Sequence, residues 1–251
     1  MRRELPAGPG ELIGRHDELA AVMELAGQIA AGGEAATAVV CVHGPPGVGK
    51  TTFAVNAGHR LSAHFPDGQL FVDLAGTSCR ALDVGEALAH LLRSLAVPDG
   101  VRPASVASQT GLYRTLTRDR RLLVVLDNAI DEAQVRPLIP SGERCMVLVT
   151  SRRALTGLDS SARTTLDVLA PDDAVRLLGS IIGADRLATD PPAVSRHCPT
   201  VPISGSMPKS VRAVPKSWNP SPGPADLVTV PAARIVPSGP SAYTEPPLSP
   251  L

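Results

Sequence analysis

The sequence predicts an α/β fold in which a parallel sheet is covered by helices on both faces, and three observations support this prediction. Apolar, β-rich runs alternate with amphipathic helical patterns, which is the order expected of a parallel, multiply wound sheet. Several of the runs are continuously apolar, as in strands that are buried on both faces. At 251 residues, the chain is long enough to build one sizeable domain of this kind.

Five strands and five helices are predicted from this patterning. The strands are expected at Thr37–Gly44, Gly68–Gly76, Arg121–Asn128, Cys145–Ser151 and Thr164–Leu169. The first four helices are expected at Lys50–Leu61, Asp83–Leu95, Val106–Thr117 and Glu132–Leu138. A fifth helix, within Leu169–Gly183, is opened by Pro171 and Asp172, two residue types that favour the first turn of a helix.

The composition excludes several classes of protein. The formal net charge is zero, with 24 basic and 24 acidic side chains, so no bulk charge favours a nucleic-acid or membrane partner. No apolar run approaches the ~18–20 residues that span a bilayer, and the start lacks the apolar core of a secretion signal. The cysteines lie far apart, and two of them fall in apolar runs where a buried, reduced thiol is expected. We therefore expect a cytoplasmic protein. The four cysteines are Cys41, Cys79, Cys145 and Cys198.

A phosphate-binding loop is predicted at residues 44–51, which read GPPGVGKT. This segment matches G-x-x-x-x-G-K-[ST] in full and lies between an apolar strand and a helix. Its glycines allow successive backbone N–H groups to converge on phosphate oxygens, at the positive end of the helix dipole. Lys50 is expected to contact the β- and γ-phosphates and Thr51 to complete a Mg²⁺ shell. A chance glycine-rich turn is the alternative, and the strand–loop–helix context argues against it.

A second element of the phosphate site is predicted at Asp127, which ends the apolar run of Arg121–Asn128. Ligands of open α/β sheets bind at the carboxyl ends of the strands, where a carboxylate can hold Mg²⁺. An aspartate that merely opens a turn is the alternative. The next residue is Asn128, whose amide cannot accept a proton from water at neutral pH. Slow hydrolysis is therefore expected.

A third element is predicted at Arg152, which follows the fourth apolar strand after a short polar step. A cation at this sheet edge can sense the γ-phosphate of a bound nucleotide. Arg153 competes for this role, and a solvated arginine pair is the other interpretation.

The chain changes character near Cys198. Of its 25 prolines, 13 fall in the last 53 residues, which carry few charges and no apolar periodicity. We expect this tail to be extended and largely disordered. The predicted organisation is a linker at 1–10, a nucleotide-binding domain at 11–168, the start of a helical subdomain at 169–198, and the tail at 199–251.

With these motifs in order, the chain resembles the NB-ARC domain of the STAND class of P-loop NTPases, in the form found in AfsR-type actinobacterial regulators. The resemblance covers about residues 5–198. It rests on LIGRHDEL at residues 12–19, the phosphate loop, GQLFVDLAG at 68–76, LLVVLDNA at 122–129 and VLVTSR at 147–152.

This resemblance implies ATP or ADP as the ligand, with Mg²⁺ held by Thr51 and Asp127. It gives Asp127 and Arg152 the catalytic positions and makes Arg152 the γ-phosphate sensor. It places Leu12, Ile13 and Arg15 at the adenine, with Pro202 as a further adenine contact. In the loop, it implies nucleotide contacts for Gly44, Gly47, Val48, Gly49, Lys50, Thr51 and Thr52.

The chain departs from the family pattern after Cys198. The family continues with C-G-x-L-P-L-A, whereas this sequence reads CPTVPIS, keeping Cys198, Pro202 and Ile203 but losing both glycines. We expect a module truncated early in its helical subdomain, and a reading-frame change near Cys198 is one hypothesis. Sequencing the gene tests it, because an alternative frame must then encode a helix of the Leu-Pro-Leu type.

Three functional interpretations stay open. The favoured one is a nucleotide switch that binds ADP or ATP with Mg²⁺, hydrolyses slowly and signals to a protein partner that the sequence does not specify. The second is an ATPase of AAA+ character with substantial turnover. The third is a truncated remnant without activity of its own. None of the three includes a direct nucleic-acid surface in this chain, because it shows no basic and aromatic patch.

Overall fold

A six-stranded parallel sheet forms the centre of the described structure. This computed structural model describes residues 2–8, 10–32, 37–75 and 80–183. The spatial order of the strands is β1-β3-β4-β5-β2-β6, and each neighbouring pair is parallel. The predicted fold class is therefore confirmed. The strands are β1 (Arg2–Arg3), β2 (Ala38–His43), β3 (Gly68–Asp73), β4 (Leu122–Ala129), β5 (Met146–Ser151) and β6 (Ala162–Thr165).

Helices connect the strands. Asp83 caps the third helix through a capping box with Glu86, and Ser105 caps the fourth through the N–H of Ser108. These caps satisfy backbone donors at the helix starts. The helices are α1 (His16–Ala30), α2 (Lys50–Leu61), α3 (Val84–Ser94), α4 (Val106–Thr117), α5 (Glu132–Val135) and α6 (Pro171–Ile182), with 3₁₀ turns at Asp99–Val101 and Arg136–Leu138.

The helices cover both faces of the sheet and form two apolar cores. On one face, α1 and α2 bury side chains such as Val22, Phe53 and Leu61 against strand residues such as Val125. On the other face, α3 and α4 bury side chains such as Leu88 and Tyr113. The central strands β4 and β5 are apolar on both sides, because each face meets its own layer of helices. Their continuous apolar sequences are explained by this arrangement.

The first helix was not predicted from the sequence. Helix α1 buries Leu19, Val22, Ala26 and Ile29, which recur at the three- and four-residue spacing of one helical face. The apolar residues Met23 and Leu25 lie between them, so the buried face becomes clear only when the spacing of the buried positions is counted.

The sheet differs from the prediction at its two edges. Arg2–Arg3, within the expected linker, forms β1 and pairs in parallel with Gly68 and Gln69 of β3. At the other edge, β6 begins earlier than expected and ends at Thr165. The N–H of Leu166 donates to the carbonyl oxygen of His43 (2.8 Å), and the chain then leaves the sheet. Edge strands carry weaker apolar patterns because only part of each is buried.

Helix α6 lies where a helix was predicted, with Pro171 in its first turn. Its first turn lies close to the segment that precedes α1. If Gly14 carried a Cβ, that atom would lie 2.7 Å from Oδ2 of Asp173. Its assignment to a second, helical subdomain stays a prediction.

Several predictions fall outside the described residues. They concern the remainder of the helical subdomain at 184–198, the tail at 199–251, the adenine contact of Pro202, and the cysteines Cys79 and Cys198. The thiols of Cys41 and Cys145 are described, and both are free and buried as predicted. Burial raises the pKa of each thiol, that of Cys145 to about 11. No helix in the described part of the chain has the length and apolar character to cross a membrane.

Candidate functional site

The phosphate loop connects β2 to α2, and its backbone requires glycine. Gly44 has a φ of +155° and is so close to the residue that follows β6 that an added Cβ would lie 2.2 Å from the carbonyl oxygen of Leu166. Gly49 caps α2 with a φ of +92°, a conformation that strains any side chain with a Cβ. The loop therefore turns directly into the N-terminus of α2, where free N–H groups and the helix dipole favour an anion.

A cavity of about 430 Å³ lies in front of this loop. This volume is within the range of ~300–1,000 Å³ that is typical of small-molecule sites. One wall comes from the loop and the first turn of α2. The opposite wall comes from the ends of β3, β4 and β5, at the carboxyl edge of the sheet. The loop wall contains Pro46, Gly47, Gly49, Lys50 and Thr51, and the strand wall contains Asp73, Asp127, Asn128, Thr150 and Arg152.

Lys50 lies on the loop wall with its ammonium group over the loop backbone. Its Nζ donates to the carbonyl oxygens of Gly44 (2.9 Å) and Pro45 (2.8 Å). Partial burial lowers the pKa of Lys50, and the neighbouring positive charge of Arg152 lowers it further, while Asp127 acts in the opposite direction. A dianionic phosphate in the cavity would stabilise the charged form of Lys50.

Asp127 is the buried centre of the strand wall, with 5% of its surface exposed. The hydroxyl of Thr51 lies 2.9 Å from Oδ1 and 2.8 Å from Oδ2 of Asp127. The hydroxyl of Thr150 donates to Oδ1 from the other side, at 2.5 Å. These two hydroxyls supply hydrogen bonds to the carboxylate oxygens in a position with little access to water.

Asn128 and Arg152 complete the strand wall. Asn128 has a left-handed backbone with a φ of +62°, and its N–H donates to the hydroxyl of Thr150 (2.8 Å). The register between β4 and β5 is interrupted between Leu126 and Ala129, so Asn128 departs from the regular ladder and lines the cavity. Arg152 is exposed and lines the cavity as well, whereas Arg153 is not among the lining residues.

The residues on both walls fit a Mg²⁺ ion by their chemistry. Mg²⁺ binds oxygen ligands and commonly uses one or two carboxylates or hydroxyls together with phosphate oxygens. The Thr51 hydroxyl and the Asp127 carboxylate meet within hydrogen-bond distance at the cavity wall. The same side chains were predicted as the Mg²⁺ ligands from the sequence, and that role stays a proposal.

The predicted adenine residues lie apart from this cavity. Leu12 and Ile13 are buried, with 6% and 7% of their surfaces exposed. Arg15 is buried too and donates to the carbonyl oxygen of Asp167 and to Glu18 Oε1 (3.3 Å). None of the three is among the residues that line the cavity beside the phosphate loop. Their adenine role stays a prediction, and in the described structure they anchor the segment that leads into α1.

Three loop residues from the predicted set, Gly44, Val48 and Thr52, are also outside the cavity wall. Val48 is partly buried and packs against the core beneath α1 and α2. Thr52 is exposed in the first turn of α2. A bound phosphate would therefore contact the backbone at Val48 and Thr52 rather than their side chains.

The sequence analysis missed Asp73 and Thr150 as cavity residues. Asp73 ends β3, and Thr150 precedes the end of β5. Each is a polar residue near the end of an otherwise apolar strand, a weaker form of the pattern that identified Asp127. The predicted strand Gly68–Gly76 runs past Asp73, and Thr150 is followed by Ser151, so the sequence pattern alone did not single out either residue.

This parallel sheet, with a phosphate loop that faces an acidic strand end, defines the class of P-loop NTPases. The chain belongs to the NB-ARC domain family, which matches residues 20–188. The sequence resemblance to that family is therefore confirmed.

The chain is similar to the regulatory protein AfsR of Streptomyces griseus (38% identical over 218 residues) and of Streptomyces coelicolor (40% identical over 223 residues). Each alignment covers 86% of this chain and 22% of the relative. The chain thus spans about a fifth of the length of these curated relatives.

Among solved structures, the ADP form of the ORC2 protein of Aeropyrum pernix is similar in fold. Its TM-score is 0.54 at 20% identity, and the match covers 69% of this chain and 53% of that chain.

Proposed function

We propose that this chain is a nucleotide switch that binds ADP or ATP with Mg²⁺ and hydrolyses ATP slowly. The observation that carries the proposal is the convergence of Lys50, Thr51, Asp127 and Arg152 on one cavity at the carboxyl edge of the sheet. These residues come from α2 and from the ends of two different strands. A chance glycine-rich turn would not bring a lysine, a hydroxyl, a buried carboxylate and an arginine together.

Each of these groups has a part in holding a nucleoside triphosphate. The backbone N–H groups of the loop and the N-terminus of α2 bind phosphate oxygens. Lys50 is released from the loop carbonyls to contact the β- and γ-phosphates. Thr51 and Asp127 hold Mg²⁺, which offsets the phosphate charge when it is bound. Arg152 contacts the γ-phosphate and so distinguishes the triphosphate from the diphosphate.

The preference for adenine follows from membership of the NB-ARC family and from the resemblance to AfsR-type regulators. The described cavity holds the phosphate end of the ligand. Leu12, Ile13 and Arg15 are proposed for the adenine end, where the segment before α1 lies beside the start of α6.

Slow hydrolysis is proposed because of the residue beside the Mg²⁺ carboxylate. Asn128 lines the cavity directly after Asp127, where its amide cannot take a proton from water. Arg152 and Lys50 stabilise negative charge on the phosphates, but neither activates the nucleophile. The expected result is a long-lived nucleotide complex.

A regulatory role is proposed from the two relatives, both of which are named as regulatory proteins. In this proposal, the γ-phosphate changes the contacts of Arg152 and the strand ends around it, and a protein partner reads that change. The partner and the signal belong to the whole regulator, of which this chain corresponds to about a fifth.

Purification followed by nucleotide analysis tests the proposal. The protein is denatured, and the released nucleotide is identified and counted, which should give about one ADP or ATP per chain if affinity is high. Refilling the stripped protein in the presence and absence of Mg²⁺ then measures the metal-dependent part of the affinity. Turnover near 1 s⁻¹ or faster, about the ordinary enzyme range, would support an AAA+-like ATPase instead. Failure of the stripped, folded protein to bind either nucleotide would contradict the proposal.

A further inference from the structure

Asp73 occupies a position in the phosphate cavity that mirrors that of Asp127. The Cα of Asp73 pairs in register with that of Asp127 across strands β3 and β4. Paired residues of parallel strands project to the same face, and neighbouring strands lie about 4.8 Å apart. Both side chains line the cavity, and they are the two carboxylates among its described lining residues.

The two carboxylates differ in their burial and in their hydrogen-bond partners. Asp127 is buried, and both of its oxygens accept hydrogen bonds from threonine hydroxyls. Asp73 is exposed, and its Oδ1 accepts from the N–H of Ala75 (2.8 Å). Within the described residues, the other oxygen of Asp73, Oδ2, accepts no hydrogen bond from the protein. One oxygen of this cavity-lining side chain is thus held by the backbone, which leaves Oδ2 available to a water molecule.

The position of Asp73 also suits the terminal phosphate. Thr51, in the first turn of α2, reaches across to Asp127 on β4, so the phosphate-binding end of the helix lies over β4. Asp73 lies on the strand at one side of β4, and Arg152 follows the strand at the other side. A γ-phosphate held over β4 therefore has a cation on one flank and a carboxylate on the other.

We propose that Asp73 positions the water that attacks the terminal phosphate, and that the slow hydrolysis of this protein depends on it. This inference rests on the proposed function, since it requires ATP in the cavity. Asp73 Oδ2 accepts a hydrogen bond from the water. The water oxygen forms a bond to the γ-phosphorus as the bond to the β,γ-bridging oxygen breaks. That electron pair stays on the departing ADP, and the water proton passes through Asp73 to solvent, leaving inorganic phosphate.

This role explains how the protein hydrolyses at all when Asn128 follows the Mg²⁺ carboxylate. A carboxylate accepts hydrogen bonds at both oxygens, whereas the nitrogen of an amide only donates them. Asp73 is exposed to bulk water, and its field on the attacking water is weaker than it would be in a closed, dry site. The expected rate is therefore slow but dependent on this carboxylate.

The experiment compares Asp73→Asn and Asp73→Ala with the wild-type full-length chain. Asparagine keeps an Oδ1 that accepts from the Ala75 N–H and replaces the free oxygen with a donor. Alanine removes both, so the pair separates water positioning from loop anchoring. The matched control is Glu86→Gln. Glu86 lines a neighbouring cleft of about 650 Å³ that also contacts Asp73, but it does not line the phosphate cavity. Glutamine preserves the capping box of α3.

Three quantities are measured: ADP affinity with Mg²⁺, single-turnover hydrolysis of radiolabelled ATP, and trapping of ADP by aluminium fluoride. An aluminium fluoride complex requires an ordered water in the attacking position, so trapping reports on water positioning without turnover. We expect Asp73→Asn to reduce the rate of hydrolysis at least tenfold. General-base assistance is typically worth about 10²–10⁴ in rate, and we expect the contribution of Asp73 to lie at the lower end of that range or just below it. It should also lose aluminium fluoride trapping, while its ADP affinity stays within about twofold of wild type.

The outcomes separate this inference from the function on which it rests. If wild-type protein binds no nucleotide, the proposed function fails. If wild type binds and traps nucleotide and Asp73→Asn behaves identically, the switch stands and the role of Asp73 is wrong. Equal losses of ADP affinity and hydrolysis in Asp73→Asn would assign Asp73 to nucleotide binding and overturn its role in positioning water. A loss of hydrolysis in Glu86→Gln as large as that in Asp73→Asn would likewise overturn it.

Discussion

At the scale of single residues, the site is organised by hydroxyl groups around one buried carboxylate. Thr51 approaches Asp127 from the helix and Thr150 approaches it from β5. Thr150 also accepts from the N–H of Asn128, so its side chain links the ends of β4 and β5 at the Asp127 carboxylate. A buried carboxylate needs such partners, because desolvation otherwise disfavours its charged form.

Lys50→Ala should weaken binding of ADP and ATP at least tenfold, because a charge-assisted hydrogen bond contributes about 1.5–3 kcal/mol. The measurement is isothermal titration of nucleotide-stripped protein. Arg60→Ala is the control, since Arg60 lies in the last turn of the same helix and bonds Asn56. Unchanged affinity in Lys50→Ala would refute the assignment of the phosphate loop.

Thr51→Ala should remove mainly the Mg²⁺-dependent part of the affinity. The hydroxyl is the proposed metal ligand, whereas the backbone of the loop still binds phosphate oxygens. Titrations with Mg²⁺ and with a chelator measure the two parts separately. Thr51→Ser keeps the hydroxyl and should bind as wild type does. A loss of equal size with and without Mg²⁺ in Thr51→Ala would exclude the metal role.

Asn128→Asp should raise single-turnover hydrolysis of ATP at unchanged nucleotide affinity. The substitution places a proton-accepting oxygen beside Asp127, and such assistance is typically worth about 10²–10⁴ in rate. Rapid mixing of protein with radiolabelled ATP measures the rate. Asp127→Asn is the matched comparison and should weaken Mg²⁺-nucleotide binding instead. A wild-type protein that hydrolyses briskly, and gains nothing from Asn128→Asp, would contradict the slow-switch account.

At the scale of elements, the sequence predicted the buried strands and the helices beside them better than the edges. Helices α2 and α4 begin and end where expected, because their apolar spacing and flanking loops are unambiguous. Strands β1 and β6 were missed or shifted. Two residues are too few to show a pattern in β1, and β6 alternates between partial and full exposure. Whether such an edge segment forms a strand depends on its pairing with a strand that is distant in sequence. A local sequence pattern does not reveal that pairing.

The sequence predicted those parts of the candidate site that a local motif or the end of a clear strand identifies. Residues 44–51 form one continuous motif, and Asp127 and Arg152 each follow a clear strand. Asp73 and Thr150 join the cavity only through the spatial order β3-β4-β5, which the sequence does not state. The segment before α1 was expected at the adenine, and that role stays a prediction.

Gly44→Ala should lower the free energy of unfolding by at least ~2 kcal/mol, because its Cβ would collide with the backbone of Leu166, directly after β6, and would also strain φ. Gly47→Ala is the matched control. Gly47 also has a positive φ, +79°, but an added Cβ would meet no described atom within 4 Å. That variant should lose only about 1–2 kcal/mol. Urea denaturation followed by circular dichroism measures both. Equal losses would show that contact with Leu166 does not matter.

At the scale of the whole molecule, the two apolar cores place the nucleotide cavity on a rigid support. Helices α1 and α2 pack on one face, and α3 and α4 pack on the other. The described cavity is built entirely from residues between Pro46 and Arg152. All the described residues proposed to contact the phosphates of a nucleotide therefore lie before residue 153.

Deleting residues 199–251 should leave ADP affinity within about twofold of the full chain, because no described cavity residue is removed. The same titration measures the truncated and full-length proteins side by side. A loss of tenfold corresponds to about 1.4 kcal/mol and would mean that the deleted segment contacts the ligand. Pro202→Ala in the full chain then tests whether that contact is the proposed adenine cap.

We propose above all that this protein holds ATP far longer than an ordinary enzyme takes to hydrolyse it. A single-turnover experiment tests it most directly, with stripped full-length protein in excess over radiolabelled ATP and Mg²⁺. We expect the ATP to be bound and then converted on the order of once per minute or more slowly, with the ADP retained. Absence of bound nucleotide, or complete conversion and release within about a second, would contradict the account.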